Sequence, residues 1–132
     1  MKRRLWLALP VAATAAALAG CAAPSPADYA DQKPLLDLKT YFDGDLVAHG
    51  LFTDRSGKVL RRFVVDLKAR WQGDQGTLEE DFRYTDGRAE RRVWRLKKLP
   101  GGRYTGTADD VVGTAQGQAS GIAFQWAYTL RL

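Results

Sequence analysis

The chain has 132 residues, 45% of them hydrophobic and 27% charged, with a formal net charge of +5, one cysteine and one histidine. Lys2, Arg3 and Arg4 supply three of those charges with no acid among residues 1 to 20, so the remainder carries only +2 and the basic balance is no argument for nucleic-acid binding. A lone cysteine excludes an internal disulfide, a lone histidine excludes a His/Cys metal cage, and the 112 residues from Cys21 onward suffice for one domain but not two.

The basic start is followed by an apolar segment from Leu5 to Ala19, rich in alanine, which reads as a secretory signal. It is shorter than the roughly 20 apolar residues that a membrane-spanning helix needs. Leu18-Ala19-Gly20-Cys21 resembles the lipobox of bacterial lipoproteins, which implies cleavage between Gly20 and Cys21 and attachment of a diacylglyceryl group with palmitate-like acyl chains to the Cys21 thiol through a thioether. Several acyl chains on one residue hold a protein to a bilayer firmly. Ala22, where inner-membrane lipoproteins usually carry Asp, favours the periplasmic face of the outer membrane. The alternative is a soluble periplasmic protein with an incidental cysteine. The expected organisation is a signal peptide over 1–20, a lipidated flexible tether over 21–33, small and proline-bearing, and a folded domain over 34–132.

Pro34 is placed to start one or two helical turns, with Leu35, Leu38 and Phe42 near one face, plugging or flanking the domain. From Gly44 the pattern has period two, and the fold class is all-β. A first strand over Gly44–Thr53 leads through Asp54-Arg55-Ser56-Gly57 to a second, in which Val59, Phe63, Val65, Leu67, Ala69 and Trp71 share one face. A third strand carries Leu78, Glu80, Phe82 and Tyr84 on one face, and Asp86-Gly87 is a favoured two-residue hairpin turn. Strands over Arg88 to about Leu99, Arg103 to Ala108 and Val111 to Gln118 follow. The last stretch alternates Ile122, Phe124, Trp126, Tyr128, Leu130 and Leu132 with polar or small residues.

Consecutive hairpins of this kind close into a barrel or stack as a sandwich. The even spacing, without a long crossover, and the mixture of small and aromatic inward residues favour an antiparallel up-and-down barrel. A four-residue first loop predicts the pairs Phe52 with Val59, Gly50 with Arg61 and Ala48 with Phe63. The apolar alternation runs unbroken to Leu132, which leads to the expectation that further strands follow, since sheets avoid exposed apolar edges.

Phe42-Asp43-Gly44, Ala48-His49-Gly50, Asp54-Arg55-Ser56-Gly57, Leu78-Glu79-Glu80-Asp81-Phe82-Arg83-Tyr84, Trp94 and Ala108-Asp109-Asp110-Val111-Val112-Gly113 resemble the domain of unknown function 3833 family of bacterial lipoproteins. The resemblance spans the whole mature domain and implies a lipocalin-like fold and a longer C-terminal part. It implies no activity, because a fold does not supply one.

No catalytic constellation is legible, and the expectation is a protein that is not an enzyme and needs no cofactor. His49 is expected on the outer face beside Arg62, Asp109-Asp110 reads as a turn whose carboxylates bond their own backbone, and neither Ser56 nor Ser120 has a histidine aimed at it. The surviving constellation is on the inner face: Arg61 beside Phe63, and Glu80 beside Phe82. A two-residue turn at Asp86-Gly87 sets Phe82 opposite Arg91 and Glu80 opposite Val93, whereas a one-residue bulge sets Glu80 opposite Arg92 and Leu78 opposite Trp94.

Buried charges are costly unless they pair or meet water. One reading is therefore a partly polar cavity in which Arg61 and a fourth-strand arginine such as Arg91 hold the anionic head of a small apolar ligand. Phe63, Trp71, Phe82 and Trp126 would line its tail. The other is a satisfied ion pair closing a filled barrel, in a structural lipoprotein whose outer charges dock an unidentified envelope partner.

Overall fold

The period-two alternation is realised as strands throughout. The computed structural model describes residues 23–132, so Gly20, Cys21 and the signal segment lie outside the described residues. Seven strands follow one another: β1 (Gly44–Thr53), β2 (Val59–Gln72), β3 (Gln75–Tyr84), β4 (Ala89–Leu99), β5 (Arg103–Thr107), β6 (Val111–Ser120) and β7 (Ala123–Leu130). Each pairs antiparallel with the next, and the sheet order is the chain order. Among the described residues β1 and β7 do not pair with each other, so the sheet curls into an open half-barrel. The fold is all-β, as the alternation requires.

Burial follows the alternation. Val65, Leu67 and Ala69 of β2, Leu78 and Phe82 of β3, and Trp94 and Leu96 of β4 make a contiguous core on the concave face. The convex face carries a ladder of opposite charges: Arg83 pairs with Asp66, and Arg91 pairs with Asp81 at 3.0 Å and with Glu79 at 2.6 Å. Gly50 faces Phe63 because a side chain there has no room; a Cβ would lie 2.3 Å from the ring. His49 is exposed on the outer face, as expected, but opposite Val64, not Arg62.

Two hairpin registers depend on loop chemistry. The first loop takes residues 54 to 58: the Asp54 carboxylate accepts from the backbone N–H groups of Ser56 and Lys58, and the Asp54 N–H donates to the Lys58 carbonyl. With a bulge between Phe52 and Thr53, the pairs become Phe52 with Arg61, Gly50 with Phe63 and Ala48 with Val65, two residues away from the expected pairing. In the β3–β4 turn only Gly87 has positive φ, at 87°, so the two-residue turn, which needs it at both central positions, does not form. Tyr84 N–H donates to the Arg88 carbonyl, and the bulged register results: Glu80 opposite Arg92 and Leu78 opposite Trp94.

The two ends of the half-barrel differ. Before β1, helix α1 (Leu38–Tyr41) lies across the end that holds the β2–β3, β4–β5 and β6–β7 turns. It starts at Asp37, not at Pro34, because the Asp37 carboxylate caps Lys39 N–H at 3.0 Å. Asp37 also accepts from Tyr104 Oη at 2.8 Å and Lys98 Nζ at 2.7 Å, so its carboxyl is held down at about 2, chiefly by the Lys98 hydrogen bond. Trp71 Nε1 donates to the Phe42 carbonyl at 2.7 Å and Leu36 N–H to Gly121 at 2.8 Å. The segment expected as a flexible tether contains a short 3-10 turn over Pro26–Tyr29, capped by Ser25 and Asp28 and packed on β6 and β7. Hydrogen-bonded capping and the burial of Pro26 dock that part of the segment on the domain.

Candidate ligand-binding site

The concave face contains a cavity of about 520 Å³, walled by aliphatic and aromatic side chains from β1 to β4 and β7 and floored by Leu38 and Phe42. Its polar groups gather at the end opposite α1, near the β1–β2, β3–β4 and β5–β6 turns. The register just described decides which they are.

Arg61 reaches this cavity from the start of β2. Its guanidinium carbon lies 4.4 Å from the Tyr84 ring centroid and 5.6 Å from that of Phe52. Stacking on two rings suits a planar, weakly hydrated cation. The nearest carboxylate, Asp86, is 3.8 Å from Nη1, and its Oδ2 already accepts from Arg88 at 2.9 Å. Arg61 Nη1 is buried and has no hydrogen-bond partner. Such a donor costs about 1–3 kcal/mol when left unmade.

Arg92 enters the same cavity from β4 but is already committed. Its Nε and Nη2 make a bidentate pair with Asp110 at 3.0 and 2.7 Å, which holds the Asp110 carboxyl below its ordinary range. Glu80 lies 3.8 Å from Arg92 Nη1 and accepts from Trp94 Nε1 at 3.1 Å. Its side chain is only 14% exposed, and burial pushes its carboxyl up to about 6 against the opposing pull of Arg92 and Trp94. Tyr84, pushed up to about 12 chiefly by burial, donates to Glu90 at 2.8 Å. It therefore stays a neutral phenol at physiological pH.

The expected site residues divide accordingly. Arg61, Phe63, Glu80, Phe82 and Trp126 all line the cavity. Arg91 does not: the bulged turn puts it on the convex face with Asp81 and Glu79, and Arg92 takes the inward position. Trp71 packs beside the floor, edge-on to Tyr104, with its indole N–H tied to Phe42. The sequence reading gives Asp110 only a turn role and gives Glu90 no place in the cavity. Asp110 works across strands on Arg92, where a turn carboxylate bonded to its own backbone was expected. The parity of Trp94 and Leu96 is the sequence signal that places Arg92 inside, because all three share one face of β4. Among the described residues no group of three or more His, Cys, Asp or Glu side chains is arranged to hold a metal ion.

The family model described as a protein of unknown function (DUF3833) matches residues 15–132. The chain belongs to this family. No curated protein and no solved structure matches it. The DUF3833 match adds no activity to the reading, so the cavity itself must carry any functional argument.

Proposed function

We propose that this DUF3833 protein is a membrane-anchored, periplasm-facing lipoprotein that binds a small apolar anion, such as a lipid, on the concave face of its half-barrel. The observation that carries the reading is Arg61 Nη1: a buried, hydrogen-bond-free donor in the wall of a cavity of about 520 Å³ lined mostly by apolar side chains. Pockets of this kind, apolar with a few convergent polar groups, are the usual form of small-molecule sites. A dry, filled core would leave that donor unpaired, whereas a carboxylate or phosphate oxygen satisfies it. The convex charges pair among themselves, which weakens the alternative of a ladder that docks an envelope partner.

The anchor reading rests on Leu18-Ala19-Gly20-Cys21, and the outer-membrane assignment on Ala22. Native mass spectrometry of the protein after mild purification tests the ligand. A co-purifying anionic lipid, lost in Arg61→Gln, supports the proposal, and an empty wild-type protein that takes up no added lipid refutes it. The anchor is tested separately by Cys21→Ser, which is expected to abolish acylation. Normal membrane retention of that variant overturns the anchor.

A further inference from the structure

The cavity is polar at one end only. Arg61, Tyr84 and Glu90 sit by the β1–β2 and β3–β4 turns, while the opposite end is closed by Leu38 and Phe42 of the N-terminal plug with Leu67, Leu78 and Leu96 around it. That plug is fixed by four bonds to barrel side chains, from Tyr104 Oη and Lys98 Nζ to Asp37, from Leu38 N–H to Tyr104 Oη and from Trp71 Nε1 to Phe42, so the apolar floor is a built surface. Of the cavity's two guanidiniums, Arg92 is tied to Asp110 through Nε and Nη2 with Glu80 3.8 Å from its Nη1, whereas Arg61 holds a buried Nη1 that makes no hydrogen bond. A volume of about 520 Å³ holds on the order of 17 heavy-atom groups at roughly 30 Å³ each. One acyl chain and its head fit that volume, and a two-chain phospholipid does not.

Building on the ligand reading above, we infer that the site takes a single-chain monoanionic amphiphile tail first, its chain end against Leu38 and Phe42 and its anionic head at Arg61. A fatty-acid carboxylate and an alkyl sulfate of about twelve carbons share this chemistry. Apolar burial along the tail supplies affinity, and the buried, unbonded Nη1 of Arg61 sets the direction of entry. The head then lies at the end of the half-barrel opposite the docked residues Pro26–Tyr29, through which the chain runs back toward Cys21.

The test uses the full-length protein in an amphipathic polymer and two palmitate probes, one with a diazirine at the last carbon and one with it beside the carboxylate. The chain-end probe is expected to label the peptide containing Leu38 and Phe42, and the head-end probe the peptides of Tyr84 or Tyr128. Arg61→Gln is expected to weaken palmitate binding roughly 10- to 100-fold without moving the chain-end label. Arg61→Lys, which keeps the charge and loses the ring stacking, is expected to fall between the two. Displacement by palmitate alone or by dodecyl sulfate alone identifies the head, and either result supports the inference.

Chain-end labelling at the Tyr84 end overturns it, as does equal displacement by palmitate methyl ester or by two-chain phosphatidylglycerol. Saturable labelling with the wrong direction or chain number leaves the ligand reading standing and removes only this refinement. Absence of any saturable labelling removes both.

Discussion

Replacing Glu80 by Gln measures whether burial or pairing governs the charged cluster in the cavity wall. The carboxyl is pushed from 4.5 to about 6, which corresponds to about 2 kcal/mol. The folded state therefore binds this proton more tightly than the unfolded state does. The resulting stability is complete below about pH 4.5 and is lost as pH rises through about 6. Above that, the ionised carboxylate costs the fold its desolvation, only partly offset by Arg92 at 3.8 Å, because Asp110 already holds the better side of that guanidinium.

Glutamine cannot ionise and still offers an oxygen to Trp94 Nε1. Glu80→Gln is expected to raise stability by about 2 kcal/mol at pH 8, or roughly 8–16 °C in Tm for a domain of this size, and to leave it unchanged at pH 4. Urea unfolding followed by tryptophan fluorescence from pH 4 to pH 8 reads both limits. A variant less stable than wild type at pH 8 refutes the reasoning, because the Arg92 attraction would then outweigh burial.

The other expectations concern packing, the plug and binding. Gly50→Ala drives a Cβ to 2.3 Å from the Phe63 ring and is expected to cost about 1–3 kcal/mol in urea unfolding, with partial rescue by adding Phe63→Leu; additive losses would deny the contact. Tyr104→Phe removes the acceptor of Leu38 N–H and a donor to Asp37, and is expected to cost about 1–3 kcal/mol and to speed amide exchange over residues 38–42. Unchanged exchange there would mean that the plug is held by packing alone. Gly121→Ala puts a Cβ 1.6 Å from the Tyr29 carbonyl oxygen at φ +56°, and faster exchange confined to residues 26–36 is the expected signature. Binding of hexadecyl sulfonate, which stays anionic throughout, is expected to tighten several-fold from pH 7 to pH 5 as Glu80 takes up its proton and a negative charge leaves the wall. A pH-independent affinity would separate Glu80 from the bound head.

The strands were legible because alternation is a local property: β2 shows Phe63, Val65, Leu67, Ala69 and Trp71 on one face whether or not its partners are known. Pairing was less legible, since register is set by turns, and each turn here hides a residue. Asp54 draws Lys58 into the first loop through its own carboxylate, and Asp86 keeps a negative φ that a primed turn would not allow. A shift of one residue exchanges the two faces of a strand. For that reason the wrong arginine, Arg91, was a candidate beside the right one, while Arg61, Phe63, Glu80, Phe82 and Trp126 needed only the parity of their own strands. Asp110 was beyond reach for the same reason, as its role depends on which arginine of β4 points inward.

The charge pattern of the cavity follows from that turn. With Arg91 inward, Glu80 would face Val93, Asp110 would lose its bidentate partner, and Trp94 and Leu96 would turn from the core to the outside. The bulged register instead gives Asp110 to Arg92 and sets Arg92 opposite Glu80, using up one guanidinium within the wall. Arg61, on β2 and beyond the reach of that pair, is left with aromatic rings and with Asp86 at 3.8 Å, too far for a hydrogen bond. One glycine with positive φ, Gly87, thus determines both which arginine is spent on structure and which keeps a donor for a ligand. Restoring the other register with a turn that takes positive φ at both central positions is expected to exchange those roles. The consequence would be loss of anion binding and of stability together, which neither Arg61→Gln nor Glu80→Gln alone produces.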